Sequence, residues 1–224
     1  MKRNILTLIA FILCLTGFSQ KNFEGTVSYD ITYQIYHTGI NEALLKEIFG
    51  TKLKFYIKDG SYSREYFDES GKTLRKYMYV AENNRLYITT PQVPDTAFYS
   101  NASEKLFDAY QIENGPTDTI LNFACPSKVI MYRYYEKMFE DTLDMKLEYF
   151  FCTQLAIDPN YYKNYYIWYD VIKEHKSVAI KFTEDTRKYF KIIYTATKIE
   201  PQKLSKNIFE FDKRVVLIYQ SMRG

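Results

Sequence analysis

Two of the three cysteines (Cys14 falls in the leader-like N-terminus), two histidines and a large stock of tyrosines are the residues of this chain that could do chemistry. Cys125 and Cys152 could close a disulfide or remain as buried thiols. A thiol nucleophile needs a base or a cation beside it, and no cysteine–histidine arrangement stands out. His37 and His175 each lie beside a turn signal, and without a CxxC pair or an HExxH stretch they give a zinc site little support. They read as solvated loop residues. The chain has no GxSxG elbow and no GxGxxG or GxxxxGK phosphate cradle, and its acids sit mostly in turns. No catalysis, cofactor or metal is expected.

The 23 Tyr and 16 Phe concentrate in candidate strands, as in Tyr132, Tyr134 and Tyr135, and again in Tyr161, Tyr162, Tyr165, Tyr166, Trp168 and Tyr169. Rings pack well across neighbouring strands, which is one reading. The other is a concave surface for an apolar ligand or a glycan, to which tyrosine is suited by an apolar body and a wet tip.

Such a surface needs a sheet. In Phe23–Tyr36 the odd positions Phe23, Val27, Tyr29, Ile31, Tyr33 and Ile35 are apolar or aromatic, with Gly25 among them, and the even positions Glu24, Thr26, Ser28, Asp30, Thr32 and Gln34 are all polar. Period two over this length predicts one long strand with a buried and a wet face, the spine of a curved antiparallel sheet. From Thr38 to Gly50 the period changes: Ile40, Ala43, Leu44 and Ile48 share a helical face, with Thr38 or Asn41 as N-cap and Gly50 past the end. A meander follows, punctuated by Asp59-Gly60, Ser70-Gly71 and Asn83-Asn84. Asn101–Gly115 reads as either a short helix or an edge strand. Further strands are expected at Thr119–Phe123, Lys128–Tyr135, Leu143–Cys152, Tyr165–Ile172, Ser177–Thr183, Tyr189–Ile199 and Val215–Tyr219, with a helical turn at Pro201–Asn207. A hairpin of Lys128–Tyr135 with Leu143–Cys152, turning near Phe139 and Glu140, brings Cys125 and Cys152 within a residue or two of facing one another.

The first nineteen residues read as a secretory signal peptide: Lys2 and Arg3, then the apolar run Ile5–Leu15, then Gly17 and Ser19 at −3 and −1 before Gln20. Residues 20–224 then form a single β-rich domain. Without Lys2 and Arg3 the chain carries 28 basic against 27 acidic residues, so nothing in the charge points to nucleic acid. Beyond the leader no apolar run is long enough to span a bilayer.

Several stretches together resemble a known layout. They are the FEGTVSY opening, the Lys58-Asp59-Gly60 hairpin followed by Ser63-Arg64-Glu65-Tyr66, the segment TDTILNFACPSKVI, the segment YFFCTQLAIDPNYY and the closing ATKIEPQKLSKNIFEF. Over nearly the whole mature chain they resemble exported Gram-negative envelope proteins of the GLPGLI type, and more distantly the LolA/LolB lipoprotein carriers. The GLPGLI signature itself is absent. The resemblance implies a mainly β fold, a curved, half-open antiparallel β-barrel covered by a short helix, and in the carriers that cavity holds lipid acyl chains. It carries over no catalytic residue.

The resulting expectation is a periplasmic or outer-membrane-associated binding protein for a lipid-like or other hydrophobic small molecule. Tyr29, Ile31, Tyr33, Phe55 and Ile57 would line an apolar cavity beneath the helix. In the alternative the barrel is filled by its own side chains and the protein is a structural module that binds another envelope protein.

Overall fold

The computed structural model describes residues 22–136, 139–211 and 214–221; the expected signal peptide lies outside them. Twelve strands form a single open sheet in the order β12-β6-β5-β4-β3-β2-β1-β11-β10-β9-β8-β7. The expected spine is β1, Gly25–Ile35, and it lies in the middle of the sheet. On one side it pairs with β2 (Lys52–Lys58), followed outward by β3 (Ser61–Phe67), β4 (Thr73–Val80), β5 (Arg85–Thr89) and β6 (Thr96–Asn101). On the other it pairs with β11 (Phe190–Pro201), followed by β10 (Ser177–Asp185), β9 (Asp141–Ala156), β8 (Phe123–Glu136) and β7 (Tyr110–Ile120). Every pairing is antiparallel except the last: β12 (Val216–Tyr219) lies parallel to β6 at the edge.

The sheet curls strongly. β3 and β10 are four places apart, about 19 Å across a flat sheet, yet the Arg64 guanidinium on β3 lies 5.2 Å from the Phe182 ring centre on β10. Tyr66 of β3 likewise meets Tyr194 of β11 at 6.4 Å. The fold is mainly β, a curved half-open barrel with short helical covers.

Turn chemistry sets the hairpins. Asp59 and Gly60 both hold positive φ, 47° and 78°, as a two-residue turn of this hand requires. Glycine is needed at 60 for a second reason: a Cβ there would stand 2.2 Å from Tyr161. Leu121 and Asn122 also hold positive φ, 50° and 67°. The strand expected at Thr119–Phe123 is therefore broken at these two residues: Thr119 and Ile120 end β7, Phe123 opens β8, and Leu121-Asn122 is the turn between them. The ambiguous Asn101–Gly115 stretch enters β7, an edge strand.

The first helix, α1, runs Glu42–Phe49; the Asn41 side chain accepts from the Ala43 amide at 2.8 Å, and Gly50, at φ 85°, closes it by donating to Lys46. Its buried face differs from the expected stripe. Leu45 is buried while Leu44 is 49% exposed, because contact runs through Leu45 and Phe49, and the Phe49 ring packs 5.9 Å from Phe190.

The segment between β9 and β10 corrects a further expectation. Tyr165–Ile172 is not a strand. A 3₁₀ turn at Pro159–Tyr162 leads to a short helix, α2, at Trp168–Ile172. Asp158 caps the turn by accepting from the Asn160 amide at 2.9 Å, and Pro159 stands in its first turn. Ile167, a β-branched residue at φ 63°, breaks the chain direction just before α2. Such a conformation costs about 1–2 kcal/mol. It is held by Tyr166, whose amide and hydroxyl donate to Ala102 and Phe107 carbonyls at 2.8 and 2.7 Å.

Candidate functional site

The concave face is paved with rings in phase with the strands. On β3, Tyr62, Arg64 and Tyr66 share this face; on β4, Arg75, Tyr77 and Tyr79 share it; on β10, Phe182 and Glu184 do. The 159–172 cover lays Tyr162, Tyr165 and Trp168 over them. Tyr79 lies 4.8 Å from Tyr165 and 5.5 Å from Tyr162, Trp168 meets Tyr149 at 5.1 Å, and the Tyr62 and Tyr165 hydroxyls hydrogen-bond at 2.8 Å.

Between this cover and the C-terminal end of α1 a cleft of about 260 Å³ remains, walled by Phe49, Tyr62, Tyr66, Tyr77, Leu86, Tyr165 and Tyr194. Arg64, Arg75 and Glu184 also line it. The Arg64 guanidinium lies among the rings of Phe55, Tyr62 and Phe182 at 5.2–5.5 Å. Arg75 sits over Phe49, Tyr66 and Tyr77 at 4.7–5.6 Å and donates at 2.9 Å to the Ile48 carbonyl near the end of α1. Guanidinium groups suit such stacking because they are planar and weakly hydrated.

Burial shapes the electrostatics. It pushes the Glu184 carboxyl above the usual carboxylate range, and Arg64, Arg75 and a hydrogen bond from Tyr194 restore only part of the shift. Burial also pushes the Tyr66 hydroxyl up to about 12, against the pull of Arg64. At Arg64 burial weighs against the charge, but Tyr62, Tyr66, Tyr149 and Tyr165 more than offset it, and the pKa is raised. A guanidinium stays protonated in proteins, so the cleft carries a positive excess whether or not Glu184 is ionised.

The five residues expected to line a cavity all belong to the concave side. Tyr29, Ile31 and Tyr33 stand opposite Ala196, Tyr194 and Ile192 of β11. Tyr29, Phe55 and Ile57, together with Tyr62, Arg64, Trp168 and Phe182, surround a space of about 20 Å³, room for a single water at most. Tyr29 donates to the Ala179 carbonyl at 2.7 Å. Tyr33 lies nearer the helix, and its hydroxyl donates to the Gly50 carbonyl. None of the five lines the cleft, whose walls come from α1, β3, β4, β5, β10, β11 and the cover.

The arginines and Glu184 escaped the sequence reading, although a signal was present. In Ser61–Phe67 and Thr73–Val80 an arginine stands in phase with tyrosines. A polar residue on an aromatic face either has buried partners or meets a ligand.

His175 was expected in solvent. Instead it is partly buried, its ring stacks 4.9 Å from Phe151, and its Nε2 is buried with no hydrogen-bond partner among the described residues. Burial first, then Lys128, hold its pKa below the ordinary 6.5, against the pull of Glu174. The unfolded chain therefore binds this proton more readily, and the histidine's contribution to stability falls as pH drops through 6.5 toward the folded value. Replacing His175 with Gln should flatten the fall in the urea midpoint between pH 7.5 and 5.5. Glu184 acts with the opposite sign in both proteins, so the difference between them isolates His175. Equal slopes would refute this account.

Among the described residues no group of three or more His, Cys, Asp or Glu side chains is placed to hold a metal ion, and no helix is long and apolar enough to cross a membrane. Fold and site together define a half-open β-barrel with an aromatic, arginine-bearing cleft. No family model matches the chain, and no curated protein does. Among solved structures it is similar to PNGF-II, at 9% identity and a TM-score of 0.46 over 88% of this chain; it spans 31% of the PNGF-II chain. It is also similar to the Mycobacterium tuberculosis lipoprotein LppX, at 6% identity and a TM-score of 0.36 over 81% of this chain and 89% of that one. A DUF1329 family protein from Desulfovibrio piger gives 10% identity and a TM-score of 0.31, over 84% of this chain and 90% of that one. Likeness at this level enters no argument about function.

Proposed function

We propose that the mature chain is an exported, non-catalytic binding protein of the cell envelope that takes a hydrophobic or amphipathic small molecule into the concave face. The observation that carries this reading is the 260 Å³ cleft walled by aromatic side chains, close to the lower end of ordinary small-molecule pockets, about 300 Å³. The leader-like N-terminus and the resemblance to exported envelope proteins support the location. Tyr29, Ile31, Tyr33, Phe55 and Ile57 belong to the packed concave side next to the cleft and do not line it. A neutral solvatochromic dye such as Nile red should bind the native protein saturably, and a medium-chain alcohol should displace it. Cooperatively unfolding protein that binds no dye would overturn the reading. It would favour an envelope interaction module, which the filled space beside Tyr29 and the exposed apolar side chains of Val216, Leu217, Ile218 and Tyr219 on β12 also fit.

A further inference from the structure

We infer that the cleft is selective for an amphiphile bearing one acidic group, a carboxylate or a phosphate, held by Arg64 and Arg75 while its apolar body lies against the tyrosines. This rests on the binding reading above and names the ligand class. An apolar ligand would leave the arginines without a role in recognition, and their surroundings are unusual for structural ones. Arg64 has three ring contacts but no hydrogen bond or ion pair to any side chain or carbonyl among the described residues. A guanidinium carries five N–H donors, and rings contact it without accepting from all of them. Arg75 spends one donor on Ile48, and its Nε is buried with no partner among the described residues. Unmet donors on two cations therefore line the same cleft, against a single carboxylate, Glu184.

The charge count sets the ligand's charge. Two guanidiniums and one carboxylate leave an excess of one positive charge with Glu184 ionised and two with it protonated, so one acidic group balances the site. The volume sets its size. About 260 Å³ admits a headgroup with a short chain or a single ring system, but no long diacyl lipid. The tyrosine and phenylalanine walls surround the pair with apolar surface, which strengthens a charge-assisted hydrogen bond once a ligand displaces the cleft's solvent. Arginine also matches the planar fork of a carboxylate or the oxygens of a phosphate better than lysine does.

The test compares octanoate, octyl phosphate and octanol as competitors of bound Nile red. Octanoate or octyl phosphate, or both, should bind at least about tenfold more tightly than octanol, since a hydrogen bond to a charged group is worth roughly that factor or more. Which of the two acids is preferred distinguishes a carboxylate ligand from a phosphate one. Parity of all three in wild-type protein would overturn the inference while leaving the binding reading intact; failure of Nile red itself to bind would overturn the binding reading. Arg64→Gln should cut the acid preference, the ratio of acid to octanol affinity, about tenfold, and a cooperative urea transition shows that the variant is folded. Arg64→Lys keeps the charge and should retain part of the preference. If the preference survives in Arg64→Gln and in Arg75→Gln alike, the acid is bound elsewhere and the assignment fails.

Discussion

Replacing Phe182 with alanine is expected to lower the unfolding free energy by about 3–5 kcal/mol, the usual cost of removing a buried aromatic ring. Phe182 is 3% exposed and stands where the two halves of the curled sheet meet. Its ring stacks on Tyr194 at 4.2 Å, meets Tyr29 edge-on at 5.7 Å and lies 5.8 Å from Tyr149. Arg64 approaches it at 5.2 Å from the far side of the concavity. These contacts come from β1, β3, β9 and β11, so no single neighbour can move to fill the gap. Domains of this size are stable by about 5–15 kcal/mol, and a large fraction of that would go with one side chain. Urea denaturation measures it, with Tyr135→Ala as control; Tyr135 is 59% exposed and its loss should stay within about 0.5 kcal/mol. A cost at Phe182 below about 1.5 kcal/mol would mean that the ring does not close the concave core.

Residue by residue, the sequence disclosed what local patterning controls. β1 was readable because apolar and polar residues alternate along it, with Val27, Tyr29 and Ile31 buried and Thr32 and Gln34 exposed, although Thr26 on the polar face is buried too; its central place follows from the strand-rich stretches on either side. Asp59-Gly60 was readable because positive φ is cheap for those two residues. The 159–172 cover was not. Its tyrosines fit strand and helix equally well, and what decides between them is Ile167 at a positive φ that no β-branched residue prefers. Leu121 takes the left-handed region for a similar reason: closure of the hairpin fixes its backbone against its own preference. The parallel contact of β12 with β6 is wholly non-local, since no pattern in Val216–Tyr219 names Thr96–Asn101 as its partner. The cleft was half legible. Its tyrosines were visible as an excess of aromatic residues, but seeing that Arg64, Arg75 and Glu184 converge required the curl of the sheet, which brings strands four places apart within reach of one side chain.

A second large effect is expected at Cys125 and Cys152. The ladder between β8 and β9 runs from Ser127 opposite Phe150 to Glu136 opposite Asp141 without a slip. Continued two places in the same register, it sets Cys125 directly opposite Cys152, closer than the turn position read from sequence required. Opposed residues of an antiparallel pair have Cα atoms about 4.5–5.5 Å apart, inside the span a disulfide bridges. In the structure both are buried free thiols. Cys125 donates to the Phe123 carbonyl at 3.4 Å, and burial, with the nearby Cys152, pushes its pKa up to about 11. Such a thiol is a poor nucleophile once the chain has folded, so a bridge must form before or during burial, as it does in an oxidising compartment. On the proposed export, protein isolated from an envelope fraction is expected to show no free thiol on titration in denaturant without reductant. Reduction should then lower stability by about 3.5 kcal/mol, the chain-entropy value for a loop of roughly 27 residues. The Cys125→Ser variant should have the stability of the reduced wild type and be indifferent to reductant. Two free thiols in the unreduced mature protein would refute the bridge, and the matched register of the two cysteines would then serve packing of the β8–β9 hairpin alone.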